Sequence, residues 1–282
     1  MADSEDIMKH LIETHEANPP PNPIYYSFLV PNLRGFENAF HILEPLQVAK
    51  NASDTTDELA HPNIELAVFA SATEAFSQKN LNCSVAESLQ RFDQIIGKAK
   101  QAKVRIRAYI SVVLGCPYEG YDVNPHRVAE IAASLLESGA DEIALGDTTG
   151  MGTVPRTATL LNTMKSAGIR MEDLAMHFHD TYGQALVNTA VSLEHGIRTF
   201  DASIAGLGGC PFSPGATGNV GTEDMVYFLE GLGMDTGVDL NGLADVGEWI
   251  TEELDVPNAS RVGKAWLGRR KLSESQMREQ GA

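Results

Sequence analysis

A chain of 282 residues, 43% hydrophobic and 21% charged, has the composition of a folded globular protein with room for one large α/β domain or two small ones. Its formal charge of −17 argues against nucleic acid or an anionic membrane surface as partner, because both need clustered Lys and Arg, although a local pocket can oppose the global sign. No apolar run reaches the roughly 18 residues of a membrane span, the acidic start MADSEDIMKH is neither a signal nor a transit peptide, and three well-separated cysteines fit a reducing compartment, so the chain as written reads as cytosolic.

Residues 24–32, IYYSFLVPN, and 35–47, GFENAFHILEPLQ, predict a first strand and helix. The polar stretch 45–63, PLQVAKNASDTTDELAHPN, reads as an insertion before the next strand, 64–71, IELAVFAS. ASATEAFSQKNLNCS then reads as a solvated loop whose Ser, Thr, Asn and Lys groups suit a polar substrate or a cofactor phosphate. Ser84 with Glu87 three residues on forms a capping box for a helix over 84–103. A strand over 104–115 follows. The helix over 124–140 has an Asn124 cap, Pro125 at its first position and a stop at Gly139. The rhythm continues with a strand at 141–147, a helix at 154–168, a strand at 174–180 and a helix at 183–196. A strand at 199–206 and a helix at 221–233 complete it, and 233–282 reads as a helical extension of the same single domain, 1–282.

Short apolar strands alternating with amphipathic helices mean parallel βαβ units. A doubly wound sheet and a (β/α)8 barrel both fit, and the polar residues choose between them. Ser71 and Thr73, Gly115 and Cys116, Asp147 and Thr148, His177 and His179, and Asp201 and Ser203 all fall at the C-terminal ends of strands. Chemistry spread over several strand ends is the barrel pattern, and no G-x-G-x-x-G opens the chain. About six of the eight strand–helix units are visible.

MHFHD places His177 and His179 two apart on a strand, so both imidazoles point to one face. Such a pair suits a divalent metal as well as two histidines that only hydrogen-bond. Asp180 either orients a ligand or caps the next helix. Asp147 shares a face with Ile143 and Leu145, which directs its carboxylate to the barrel mouth, against the alternative of an Asx turn starting the loop. Residues 205–219, AGLGGCPFSPGATGN, hold five glycines and two prolines around Cys210. So little side chain cannot pack a core. The stretch reads as a lid in which Gly206, Gly208 and Gly209 shape the backbone, Cys210 moves a proton, and Asn219 offers a carboxamide oxygen to a hard metal. Cys83 reads as space-filling, and Cys116 as a weaker reactive candidate.

SIAGLGGCPFSPGATGNVGTEDMVYFLEGLG resembles the signature loop of the 3-hydroxy-3-methylglutaryl-CoA lyase family. FSQKNLNCSVAESLQRFD, LGCPYEGY, LGDTTGMGT and HFHDTYGQALVNT are similar to that family's segments in the same order. The resemblance implies a TIM barrel that uses Mg²⁺ or Mn²⁺ to cleave a CoA thioester into acetyl-CoA and acetoacetate, a step of leucine degradation and ketone-body formation. It implies His177 and His179 as metal ligands, His177 also as acid–base group, and Asn219 as a third ligand. It implies Cys210, Asp147 and Glu223 as catalytic residues, a homo-oligomer, and the mitochondrial matrix if residues precede Met1. The family also opens with a strand ending in Arg-Asp-Gly, whose Asp binds metal and whose Arg stabilises the enolate oxygen, and no R-D-G occurs in this sequence. The resemblance therefore places Met1 inside the family's barrel, through a gene start at an internal methionine or in a shortened paralogue. An aldolase or synthase of the same superfamily is the alternative activity, and a scaffold that has lost its chemistry is the third.

Overall fold

The computed structural model describes residues 4–52, 62–209 and 218–280. They form two compact units, residues 1–111 with 128–144 and residues 112–127 with 145–282.

The first unit opens with helix α1 (Ser4–Ala17), which buries Met8, Ile12 and His15 at helical spacing. Strand β1 (Tyr25–Leu29), helix α2 (Leu33–Ala52), strand β2 (Asn63–Ser71), helices α3 (Glu74–Leu81) and α4 (Val85–Gln101), and strand β3 (Arg105–Ser111) follow. β1 pairs with β2 and β2 with β3, all parallel, with Glu65 opposite Arg105 and Ser71 opposite Ser111. The capping box is formed: Ser84 Oγ accepts the Glu87 N–H, and the Glu87 carboxylate accepts the Ser84 N–H at 2.8 Å. Behind it Phe92, Ile95, Ile96 and Ala99 make a buried stripe. At the N-terminal ends of the strands Arg105 pairs with Glu65 at 2.7 Å, and Arg107 with Glu142 at 2.7 Å. Glu65, Glu142 and Arg107 are nearly buried and Arg105 is partly exposed, so pairing keeps the buried charges from being left uncompensated.

Helix α5 (Pro125–Ser138) starts after Asn124, whose side chain accepts the His126 N–H, and stops at Gly139 with φ +109°. Strand β4 (Glu142–Asp147) is buried at every position and runs from the first unit into the second. The second unit continues with α6 (Val154–Ser166), β5 (Leu174–Phe178), α7 (Ala185–Glu194), β6 (Thr199–Asp201), α8 (Thr222–Gly231), α9 (Leu240–Glu253) and α10 (Arg261–Gln280). β5 and β6 are parallel. The strands of the six-stranded sheet hydrogen-bond in sequence order, β1 to β6. A doubly wound sheet reverses its strand order at a switch point, whereas a barrel winds in sequence order, so this is the barrel topology with six strands.

Four expectations change. The loop read over ASATEAFSQKNLNCS contains α3, whose buried residues are only Phe76 and Ser77, too few to show a periodic face in sequence. The insertion read at 45–63 is helical up to Ala52, because LQVAKNA is made mostly of residues a helix tolerates, and Asn63 already lies in β2. Residues 53–61 lie outside the described residues. β3 stops at Ser111, since Val112 turns to φ +58° with its N–H held by Thr148 Oγ1 at 2.9 Å. β6 stops at Asp201, and residues 204–206 form a 3-10 turn around Ala205 at φ +55°.

Candidate active site

The second unit gathers its polar side chains where β4, β5 and β6 end. His177 and His179 share a face of β5 and its extension, with ring centroids 5.3 Å apart. The parallel register sets His177 opposite Asp201, and His177 Nδ1 lies 3.3 Å from Asp201 Oδ2. The two atoms lie within ion-pair distance but outside hydrogen-bond geometry, and a carboxylate so close to one ring nitrogen biases the imidazole and leaves Nε2 for chemistry. His179 is buried, and burial, reinforced by His177, pushes its pKa down to about 4. It is therefore a neutral imidazole at physiological pH.

Asn219 faces His179 through an isolated antiparallel bridge. Its Nδ2 donates to the Leu207 carbonyl at 2.9 Å, which fixes the amide and turns Oδ1 away as an acceptor. His179 Nδ1 and Asn219 Oδ1 are both buried without a hydrogen-bond partner. Gly208, at φ +93°, sits so close that an added Cβ would lie 3.0 Å from Asn219 Nδ2. Gly206 is also left-handed, at φ +66°.

Asp147 is buried, but its carboxylate is turned into its own loop. Oδ2 accepts the Gly152 N–H at 2.9 Å, and Thr149 Oγ1 lies 3.5 Å from Oδ1. Burial raises its pKa to about 6, and the Gly152 and Gly150 N–H groups, Arg156 and Thr149 oppose that rise. A side chain at Gly152 would meet Oδ2 at 2.6 Å, so this loop closes around the carboxylate only with glycine there. Glu223, fully buried in the first turn of α8, accepts the Ala205 N–H on both oxygens at 3.0 Å. Burial raises its pKa as well.

The structure thus brings together His177, His179, Asn219 and the glycines at the base of the loop, with Asp147 at the end of β4 and Glu223 holding Ala205. Cys210 lies outside the described residues. Asp180 caps α7, accepting the Ala185 N–H at 3.0 Å. Cys116 is fully buried in a two-way backbone bridge to Gly120, and Cys83 is buried. In the first unit, Ser71 and Thr73 hydrogen-bond each other locally at the turn into α3. Sequence reasoning assigned no role to Asp201. Its position at a strand end was visible, but its pairing with His177 is a matter of register between two strands.

Among the described residues no group of three or more His, Cys, Asp or Glu converges on one point. The donor set that fits a metal is two imidazoles and a carboxamide oxygen. The fit rests on the two buried acceptor atoms without partners, on a neutral His179, and on an amide whose nitrogen is already engaged. A hard divalent cation is the class of ligand such nitrogen and oxygen donors accept.

The HMGL-like family profile matches residues 37–250. A Pseudomonas aeruginosa protein named 3-hydroxy-3-isohexenylglutaryl-CoA/hydroxy-methylglutaryl-CoA lyase is 48% identical over 246 residues, covering 87% of this chain and 75% of its own length. The crystal structure of hydroxymethylglutaryl-CoA lyase from Pseudomonas aeruginosa superposes with a TM-score of 0.80 at 45% identity, covering 95% of this chain and 80% of that one. An HMG-CoA lyase from Acinetobacter baumannii, in complex with coenzyme A and 3-methylmalate, superposes with a TM-score of 0.77 at 32% identity, covering 93% and 77%.

Proposed function

This chain belongs to the HMGL-like family, and from that premise we infer that it is a carbon–carbon lyase that cleaves 3-hydroxy-3-methylglutaryl-CoA to acetyl-CoA and acetoacetate. The observation that carries the site reading is His177, oriented by Asp201, beside the partnerless acceptors of His179 and Asn219.

His177, His179 and Asn219 would hold Mg²⁺ or Mn²⁺, which as a Lewis acid polarises the substrate's tertiary hydroxyl and carboxylate. His177 Nε2 carries one lone pair, so it takes the hydroxyl proton only while that nitrogen does not ligate the metal, its imidazole held by Asp201. The electron pair of that O–H bond becomes the ketone of acetoacetate. The adjacent carbon–carbon bond breaks, and its electrons pass into the thioester enolate of acetyl-CoA. Cys210, placed by the resemblance on the loop between Gly209 and Asn219, returns one proton to the enolate carbon. The left-handed glycines at 206 and 208 let the loop base turn tightly, and closure over the substrate would keep water from that carbon. Glu223 fixes the base of the loop through Ala205, and Asp147 holds the neighbouring loop in shape.

The test is direct. The purified chain is incubated with 3-hydroxy-3-methylglutaryl-CoA and Mg²⁺, and acetoacetate is measured. Release of acetoacetate that disappears in His177→Ala supports the reading. No acetoacetate above a protein-free control overturns it for this chain.

A further inference from the structure

We propose that the end of the connection between α9 and α10 with the first residue of α10, residues 258–261, is a positioning clamp that fixes both stems of the glycine-rich loop and thereby the presentation of Asn219. Its consequence for metal binding rests on the metal reading above. The clamp itself does not.

The first stem is Ala205–Gly206. Ala205 is left-handed, a conformation an L-residue holds only where its surroundings impose it. Both of its backbone groups are gripped from outside the loop. Its N–H donates to the Glu223 carboxylate, and its carbonyl accepts the Ala259 N–H at 2.9 Å. The contact continues at Gly206, where an added Cβ would lie 3.1 Å from Ala259 Cβ.

The second stem runs from Gly218 to Gly221. The Gly218 carbonyl accepts the Asp180 N–H at 3.2 Å, and Asp180 Oδ2 pairs with Arg261 at 3.3 Å. A Cβ at Gly221 would meet Asp224 Oδ2 at 2.6 Å and Ser260 Cβ at 3.0 Å. Asp224 in turn holds the connection. Its carboxylate accepts the Ser260 hydroxyl at 3.2 Å, the Arg261 N–H at 3.3 Å and the Val262 N–H at 2.7 Å. Ser260 is fully buried.

One four-residue segment therefore touches both stems. The neighbours Glu223 and Asp224 divide the work: the first grips the loop and the second grips the connection. Asn219 lies in the second stem, and its side chain is tied to Leu207, the residue that follows the first. A glycine-rich chain has no stiffness of its own, so the rigidity of its ends must come from such outside contacts. The Arg261–Asp180 pair is solvent-exposed and adds little alone. The Ala259 N–H and the buried Ser260 are the stronger points of attachment.

Ala259→Pro removes the donor to Ala205 and leaves the Asp224 contacts in place, and Ala259→Ser keeps the N–H. Hydrogen exchange is followed in peptides covering 203–209 and 218–222, and the Mn²⁺ dissociation constant by paramagnetic resonance of free Mn²⁺. Ala259→Pro is expected to speed exchange in both peptides by about tenfold, spare β2 and β3, and weaken Mn²⁺ binding by about tenfold. Ala259→Ser is expected to stay within about twofold of the wild type in both. Exchange in Ala259→Pro equal to the wild type overturns the clamp. If that variant does not fold, Ser260→Ala with Arg261→Ala gives the same comparison, with about threefold expected and no change overturning the clamp. A wild type that binds no Mn²⁺ removes the metal reading, and exchange alone then decides the clamp.

Discussion

His177 Nδ1 lies 3.3 Å from Asp201 Oδ2, across the register that pairs the ends of β5 and β6. The pairing predicts that Asp201 keeps His177 in one tautomer and one orientation. Asp201→Asn is expected to lower kcat by about 10–100-fold with a much smaller change in KM, because the carboxylate acts on the base and not on the substrate. Steady-state kinetics on the CoA thioester measure it. An unchanged kcat would detach Asp201 from the chemistry.

Gly208 and Asn219 predict metal affinity. A Cβ on Gly208 would press on Asn219 Nδ2 at 3.0 Å, in a backbone conformation that already disfavours a side chain. Gly208→Ala should therefore weaken Mn²⁺ binding by about tenfold, and His179→Ala by at least as much. Calorimetric titration checks both. With three protein ligands, wild-type affinity is expected to be weak. Equal Mn²⁺ binding in the wild type and in His179→Ala would remove the ligand assignment.

Asp147 predicts a pH dependence of stability in the metal-free protein. Burial raises its pKa to about 6 from the ordinary 3.8, so between those values the folded state holds the proton that the unfolded chain has released. That contribution is present in full below the unfolded value and is lost as pH rises through about 6. Asp147→Asn carries no such titration. Relative to this variant, the wild type should lose about 1 kcal/mol between about pH 5 and about pH 7.5. Urea denaturation of both proteins with EDTA measures the gap, and a gap independent of pH contradicts a buried neutral carboxyl.

Glu223 predicts a structural cost with a local signature. Glu223→Ala leaves the buried Ala205 N–H without an acceptor and opens space beside Gly247, where an added Cβ would collide with Glu223 Oε1. The expected loss is about 1–3 kcal/mol. Denaturant midpoints report the loss, and hydrogen exchange at 203–206 reports whether it is local.

Cys210 predicts a kinetic split. Cys210→Ser keeps the size of the side chain and raises the pKa of the acid by several units, so turnover should fall by at least about 100-fold while KM and Mn²⁺ affinity hold. Near-equal turnover in the two proteins would leave the loop a structural turn.

The alternation of strands and helices, the Ser84–Glu87 capping box, the Gly139 stop and the shared face of His177 and His179 are legible in sequence because each depends on residues a few positions apart. A helical or strand period, a cap and a left-handed glycine are local properties. The end of β3 and the turn at Ala205 are not legible, because Val112 and Ala205 turn left-handed under contacts from Thr148 and Glu223 that lie far along the chain. The same holds within the site. Sequence names His179 and Asn219 but does not set them side by side. It shows Asp201 at a strand end but not its carboxylate on His177. It suggests Asp147 aimed at the mouth, whereas Gly152 and Thr149 draw the carboxylate into its own loop. Those placements follow from strand register and loop closure, which are fixed only when the strands pair and the buried polar groups find their partners.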